Sequence, residues 1–188
     1  MPWTEVLLGA LAGGLALFVW NAVCWMALPH HHADFRPLAN EEDLSYALGR
    51  AGVKPGVYML PHMENYKGGM KDPALDARWK KGPNVTVTVM PAGPCMMGSA
   101  FLKGYGLTVL EAFAGAVILH WTAGSLGSLP RTLGFFAGLG ALVNGARPLS
   151  QVIWMKYPLR NAMTLVFDGV VGYALMGLVL HFVMPAAS

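Results

Sequence analysis

The chain has 188 residues, of which 55% are hydrophobic and only 12% charged, and its formal net charge is +3. A soluble domain carries roughly 25% charged residues; here mean hydropathy is +0.46 and the apolar residues form long runs, which excludes an ordinary soluble domain and makes lipid the expected solvent. The basic residues lie in one loop and beside helix ends, the pattern of membrane topology and not of nucleic-acid binding.

The first apolar run predicts a transmembrane helix over 5–28, ended by Pro29. At 1.5 Å per residue it is about 36 Å long, enough to span. No Lys or Arg precedes it and no small-residue cleavage pattern follows, so a retained helix is expected. Gly9 and Gly13 form a GxxxG pair, a candidate helix-packing face.

A polar segment over 29–103 follows. Asn40 before Glu41-Glu42-Asp43 suggests a capped helix that stops at Gly52. Residues 57–60 suggest a short strand. Asp72-Pro73 opens a second helix, and the alternation of 85–89 (Val-Thr-Val-Thr-Val) is the clearest strand signal in the chain. The expectation is a small α/β insertion that is too small to stand alone and packs on the membrane surface or on a partner.

Three further spans are expected over 104–123, 131–146 and 161–184, with an interfacial segment over 148–158 that carries Trp154 and Tyr157. The predicted fold is therefore mainly α: a four-transmembrane-helix bundle with the α/β insertion between helices one and two. The insertion and the connection between helices three and four hold nearly all the Lys and Arg, with Arg131 alone on the other side. The positive-inside rule then predicts a cytoplasmic insertion and periplasmic termini.

Four constellations are candidates for chemistry. Counted from the insertion side, Asn21, Glu111 and Asp168 each fall about 10 Å deep, and Asn144 and Arg147 lie near the same end of helix three. This polar layer reads as an ion, proton or ligand site, or as polar glue; Arg147 is the expected partner of the carboxylates. In extended chain His30 and His32 point the same way and, with Asp34 or His62, could bind zinc or copper. His120 and His181 fall at similar depth near the opposite face and are a candidate haem pair. Met59, Met63, Met70, Met90, Met96 and Met97, with Cys95, are possible soft ligands for copper. Of the two cysteines, the other is Cys24; no CxxC pattern exists. Nucleotide-binding and nucleophile-elbow motifs are absent from the sequence.

The stretch Trp20-Asn21-Ala22-Val23-Cys24-Trp25-Met26-Ala27-Leu28-Pro29-His30-His31-His32, and later Pro55-Gly56-Val57-Tyr58-Met59-Leu60-Pro61, resembles small bacterial multi-pass inner-membrane proteins. That group carries no assigned activity, so the resemblance implies a location and no catalytic residues. Together these readings favour an accessory or structural subunit of a larger membrane complex, with the bilayer and other membrane subunits as partners. The alternatives are an ion- or proton-handling protein that uses the intramembrane carboxylates, and a haem- or metal-binding redox protein.

Overall fold

The computed structural model describes residues 2–64, 71–94, 98–122 and 126–184. In chain order these form α1 (Trp3–Met26), a 3-10 turn (Pro29–His31), α2 (Glu41–Arg50), β1 (Gly56–Leu60), α3 (Pro73–Lys81), β2 (Val85–Val89), α4 (Gly98–Thr122), α5 (Leu129–Met155) and α6 (Leu159–Val183). Three of them, α1, α4 and α6, are long and apolar enough to cross a membrane.

Two compact units emerge, one of Met1–Arg36 with Met96–Ser188 and one of Pro37–Cys95. The insertion thus begins later and ends earlier than the expected 29–103. The segment just after α1 belongs with the long helices, and α4 starts at Gly98 instead of 104. Polar residues such as Lys103 had marked that stretch as loop, but a helix end carries such residues at the membrane edge without breaking.

In the first unit α1 packs against α4 and α6, and α5 packs against α6. The core holds Val6, Leu17, Ala112, Ala116, Leu119, Phe136, Tyr173, Met176, Leu180 and Met184, all buried. Small residues set the closest approaches. A Cβ on Gly140 would strike the carbonyl of Gly169, and one on Gly169 would strike the carbonyl of Gly140, so the α5 and α6 backbones touch. Gly9 and Gly13 face Met184, Leu180 and Met176 of α6. The GxxxG face is thereby used inside the chain.

α5 departs from expectation. Instead of a span ending at 146 and a separate interfacial segment over 148–158, a single helix of 27 residues runs through Pro148 to Met155. Proline removes one backbone donor and disfavours the preceding turn. The helix nevertheless continues, with Gly145 packed on Val166 of α6 just before the proline.

The second unit holds α2, α3 and an antiparallel ribbon in which Gly56 pairs with Val89 and Leu60 with Val85. Asp72 caps α3 by accepting the Ala74 amide at 2.9 Å, with Pro73 at the first helical position. The Asn40 side chain makes no such bond, in contrast to the expected cap; the three acids that follow it face the N-terminal end of the α2 dipole instead. Among the described residues of this unit only Pro61 and Leu75 are buried.

Candidate functional site: a buried histidine–aspartate cluster

α1 ends at Met26, and Pro29 starts the tight turn that reverses the chain. Its fixed φ suits the first position of such a turn. The His32 amide donates to the Pro29 carbonyl and the Asp34 amide to the His31 carbonyl, both at 3.0 Å. In this geometry His30 and His31, not His30 and His32, turn to the bundle. His31 is 3% exposed, whereas His32 faces outward.

Both histidines meet Asp168 of α6, which is 6% exposed. His30 Nε2 lies 2.8 Å from Asp168 Oδ1, and His31 Nε2 lies 2.7 Å from Oδ2. The other His31 nitrogen, Nδ1, lies 2.8 Å from Asp34 Oδ2. Arg160 closes the cluster: one guanidinium nitrogen donates to Asp34 Oδ1 at 2.7 Å and another to the His30 carbonyl at 2.9 Å. Asn161 donates to the Asp34 carbonyl at 3.2 Å.

Each of these contacts needs one hydrogen, which imidazole and guanidinium groups can supply and a carboxylate accepts. Two carboxyl groups, two imidazoles and one guanidinium thus satisfy one another in a closed network. Such pairing is what makes burial of ionisable groups tolerable, since an uncompensated buried ion is strongly destabilising.

Aromatic rings shield the cluster. Trp25 stacks on His31 with centroids 3.8 Å apart and planes 5° from parallel. Phe167 meets His30 edge-on at 5.9 Å. Trp20 donates from Nε1 to the Asp168 carbonyl at 2.9 Å. Gly172 leaves room for that indole, because a Cβ there would come within 2.7 Å of its Cδ1. Cys24, fully buried, offers its sulfur within 4.8 Å of a His30 nitrogen and an Asp168 oxygen.

The structure redistributes the expected polar layer. Asp168 pairs with histidines and not with Arg147, which is exposed on α5. Glu111 instead accepts a hydrogen bond from Tyr173 at 3.2 Å. Tyr173 lies five residues beyond Asp168 on α6, about 7.5 Å further along the axis. Because α4 begins at Gly98, Glu111 lies about 20 Å from the helix start and not the roughly 10 Å that a start at 104 implies. Glu111 and Asp168 therefore occupy different levels with different partners. Asn144 lies beside Gly169 and donates to the Gly140 carbonyl at 3.2 Å, while Asn21 is half-buried next to Trp20 on α1.

His62 belongs to the Pro37–Cys95 unit and is exposed. His181 Nδ1 lies 3.4 Å from Thr132 Oγ1 of α5, and His120 lies against Trp3 at 5.2 Å. The haem pair is thus divided between two helix contacts. Of the methionine set, Met70, Met96 and Met97, with Cys95, lie outside the described residues; Met90 is exposed.

Sequence reasoning missed His31, Arg160, Asn161 and Cys24. A signal was present: α1 ends and α6 begins on the same side, so residues just after α1 reach the first turns of α6. Compared with protein-family models, curated proteins and solved structures, the chain matches none of them.

Proposed function

We propose that this chain is an accessory, non-catalytic subunit of a larger bacterial inner-membrane complex, with the long helices as anchor and the Pro37–Cys95 unit as the part that meets another subunit. The carrying observation is the burial of that unit. Among its described residues only Pro61 and Leu75 are buried, while Val57 is 72% and Tyr46 69% exposed. A two-stranded ribbon is marginal by itself, and exposed apolar side chains of this kind mark contact surfaces. The resemblance in 20–32 and 55–61 supports the bacterial inner membrane.

In this reading α5 is a fourth span. It lies along α6 from Thr132 near His181 to Gly145 against Val166, so a membrane that α6 crosses is crossed by α5 as well. Its polar residues find partners: Asn144 packs at Gly169 of α6, and Thr132 donates to the Leu126 carbonyl, just before α5, at 2.7 Å. Positive charges at Arg147, Lys156 and Arg160 support a cytoplasmic insertion and periplasmic termini.

The test is extraction of the full chain from native membranes in a mild detergent. The proposal expects migration well above 20.1 kDa, with other membrane subunits in fixed ratio, and loss of that species in Val57→Lys with the bundle intact. A wild-type chain that runs as a lone monomer overturns it.

One observation favours a second reading. Glu111 is an ionisable group within a membrane-crossing helix, and such groups often mark ion or proton pathways. Flux measurements on Glu111→Gln separate the two readings.

A further inference from the structure

The geometry points to a transition-metal site at the end of the bundle, formed by Cys24, His30, His31 and Asp168 and fitted to a borderline divalent ion such as zinc. Three donors are already together: the Cys24 sulfur, a His30 ring nitrogen and an Asp168 carboxylate oxygen all lie within 4.8 Å of one another. Donors of a tetrahedral zinc ion stand about 3.5 Å apart, so each need move by no more than about 1 Å. His31 Nε2, 2.7 Å from the other Asp168 oxygen, would supply a fourth donor after a further small movement.

The surroundings are those of a ligand set. A buried free thiol ordinarily sits among apolar neighbours, but Cys24, with no exposed surface, faces an imidazole and a carboxylate. Thiolate and imidazole together select zinc and related ions over magnesium or calcium. His31 is held from behind, with Nδ1 at 2.8 Å from Asp34 and Asp34 at 2.7 Å from Arg160. A ligating histidine that donates its second ring hydrogen to a carboxylate is the usual outer support of a zinc site.

Zinc brings two positive charges, and its binding releases two hydrogens, one from the Cys24 thiol and one from the histidine–carboxylate hydrogen bonds, so the net charge of the cluster is unchanged.

The full chain, purified in detergent and stripped with a chelator, is titrated with Co²⁺ and then with Zn²⁺. The expected result is one Co²⁺ per chain with a sulfur-to-cobalt charge-transfer band, displaced by Zn²⁺. Cys24→Ser removes the band and weakens Zn²⁺ binding at least tenfold. Asp34→Asn keeps the band and weakens binding about 10–100-fold. Cys95→Ser retains both band and affinity. Absence of the band in the wild type, its survival in Cys24→Ser, or its loss in folded Cys95→Ser overturns the site. The Cys95→Ser arm decides the sulfur's identity even where Cys24→Ser fails to fold.

Discussion

His31 and Asp168 stand 137 positions apart in sequence and 2.7 Å apart in space, both buried. That single contact joins the turn after α1 to the first half of α6. A second contact at the other His31 nitrogen extends it to Asp34, and Arg160 balances the charge.

Removing the Asp168 carboxylate leaves His30 and His31 without their shared partner. Asp168→Asn should cost about 3–5 kcal/mol, the usual penalty for breaking a buried pair. Pairing it with His31→Gln should recover part of the loss, with a coupling of 0.5–3 kcal/mol, roughly the range for contacting residues. Thermal unfolding of the detergent-solubilised chain reads both. Additive losses would mean that the two residues do not act together. Arg160→Ala should cost less, because half of its side chain is already exposed and screened.

The α5–α6 contact depends on having no side chain at two positions. Gly140→Ala and Gly169→Ala each place a Cβ on the facing backbone and should destabilise by about 1–3 kcal/mol or more. Gly134→Ala and Gly138→Ala, which point into open space, should be neutral or slightly stabilising. Equal tolerance at all four positions would show that α5 does not pack this way.

At Glu111 the expectation is small. Glu111→Gln still accepts from the Tyr173 hydroxyl, so stability should change by less than about 1 kcal/mol. Tyr173→Phe strips the carboxyl group of that donor and should cost about 1–3 kcal/mol. Neither variant should alter proton or cation flux in proteoliposomes. A flux present in the wild type and abolished in folded Glu111→Gln would replace the subunit reading with the ion-handling one.

If α5 crosses the membrane, its ends lie on opposite sides. Ser128→Cys should react with a membrane-impermeant thiol reagent in cells whose outer membrane alone is permeable. Lys156→Cys should react only after the inner membrane is opened. The reverse pattern would invert the orientation, and labelling of both from one side would remove the fourth span.

Much of this architecture is legible in the sequence, since long apolar runs report α1, α4 and α6 directly. The alternating Val85–Val89 strand and the Asp72-Pro73 helix start are also local signals. α5 is harder, because its polar residues and Pro148 lower the apparent hydropathy while the helix stays whole against α6. The cluster was half-visible. Asp168 and His30 both stand out as residues, yet their pairing depends on a 3-10 turn that an extended reading of the triple histidine does not contain. The Glu111–Tyr173 contact is likewise not legible from counting along α4, because α4 starts six residues earlier than its apolar run suggests.

Contact between the Pro37–Cys95 unit and another subunit is read by a photoactivatable amino acid in place of Val57, illuminated in native membranes. A discrete adduct with one other membrane protein is expected, absent when the probe is placed at Leu142, exposed on α5. No protein adduct from position 57, or adducts only with other copies of this chain, would contradict it.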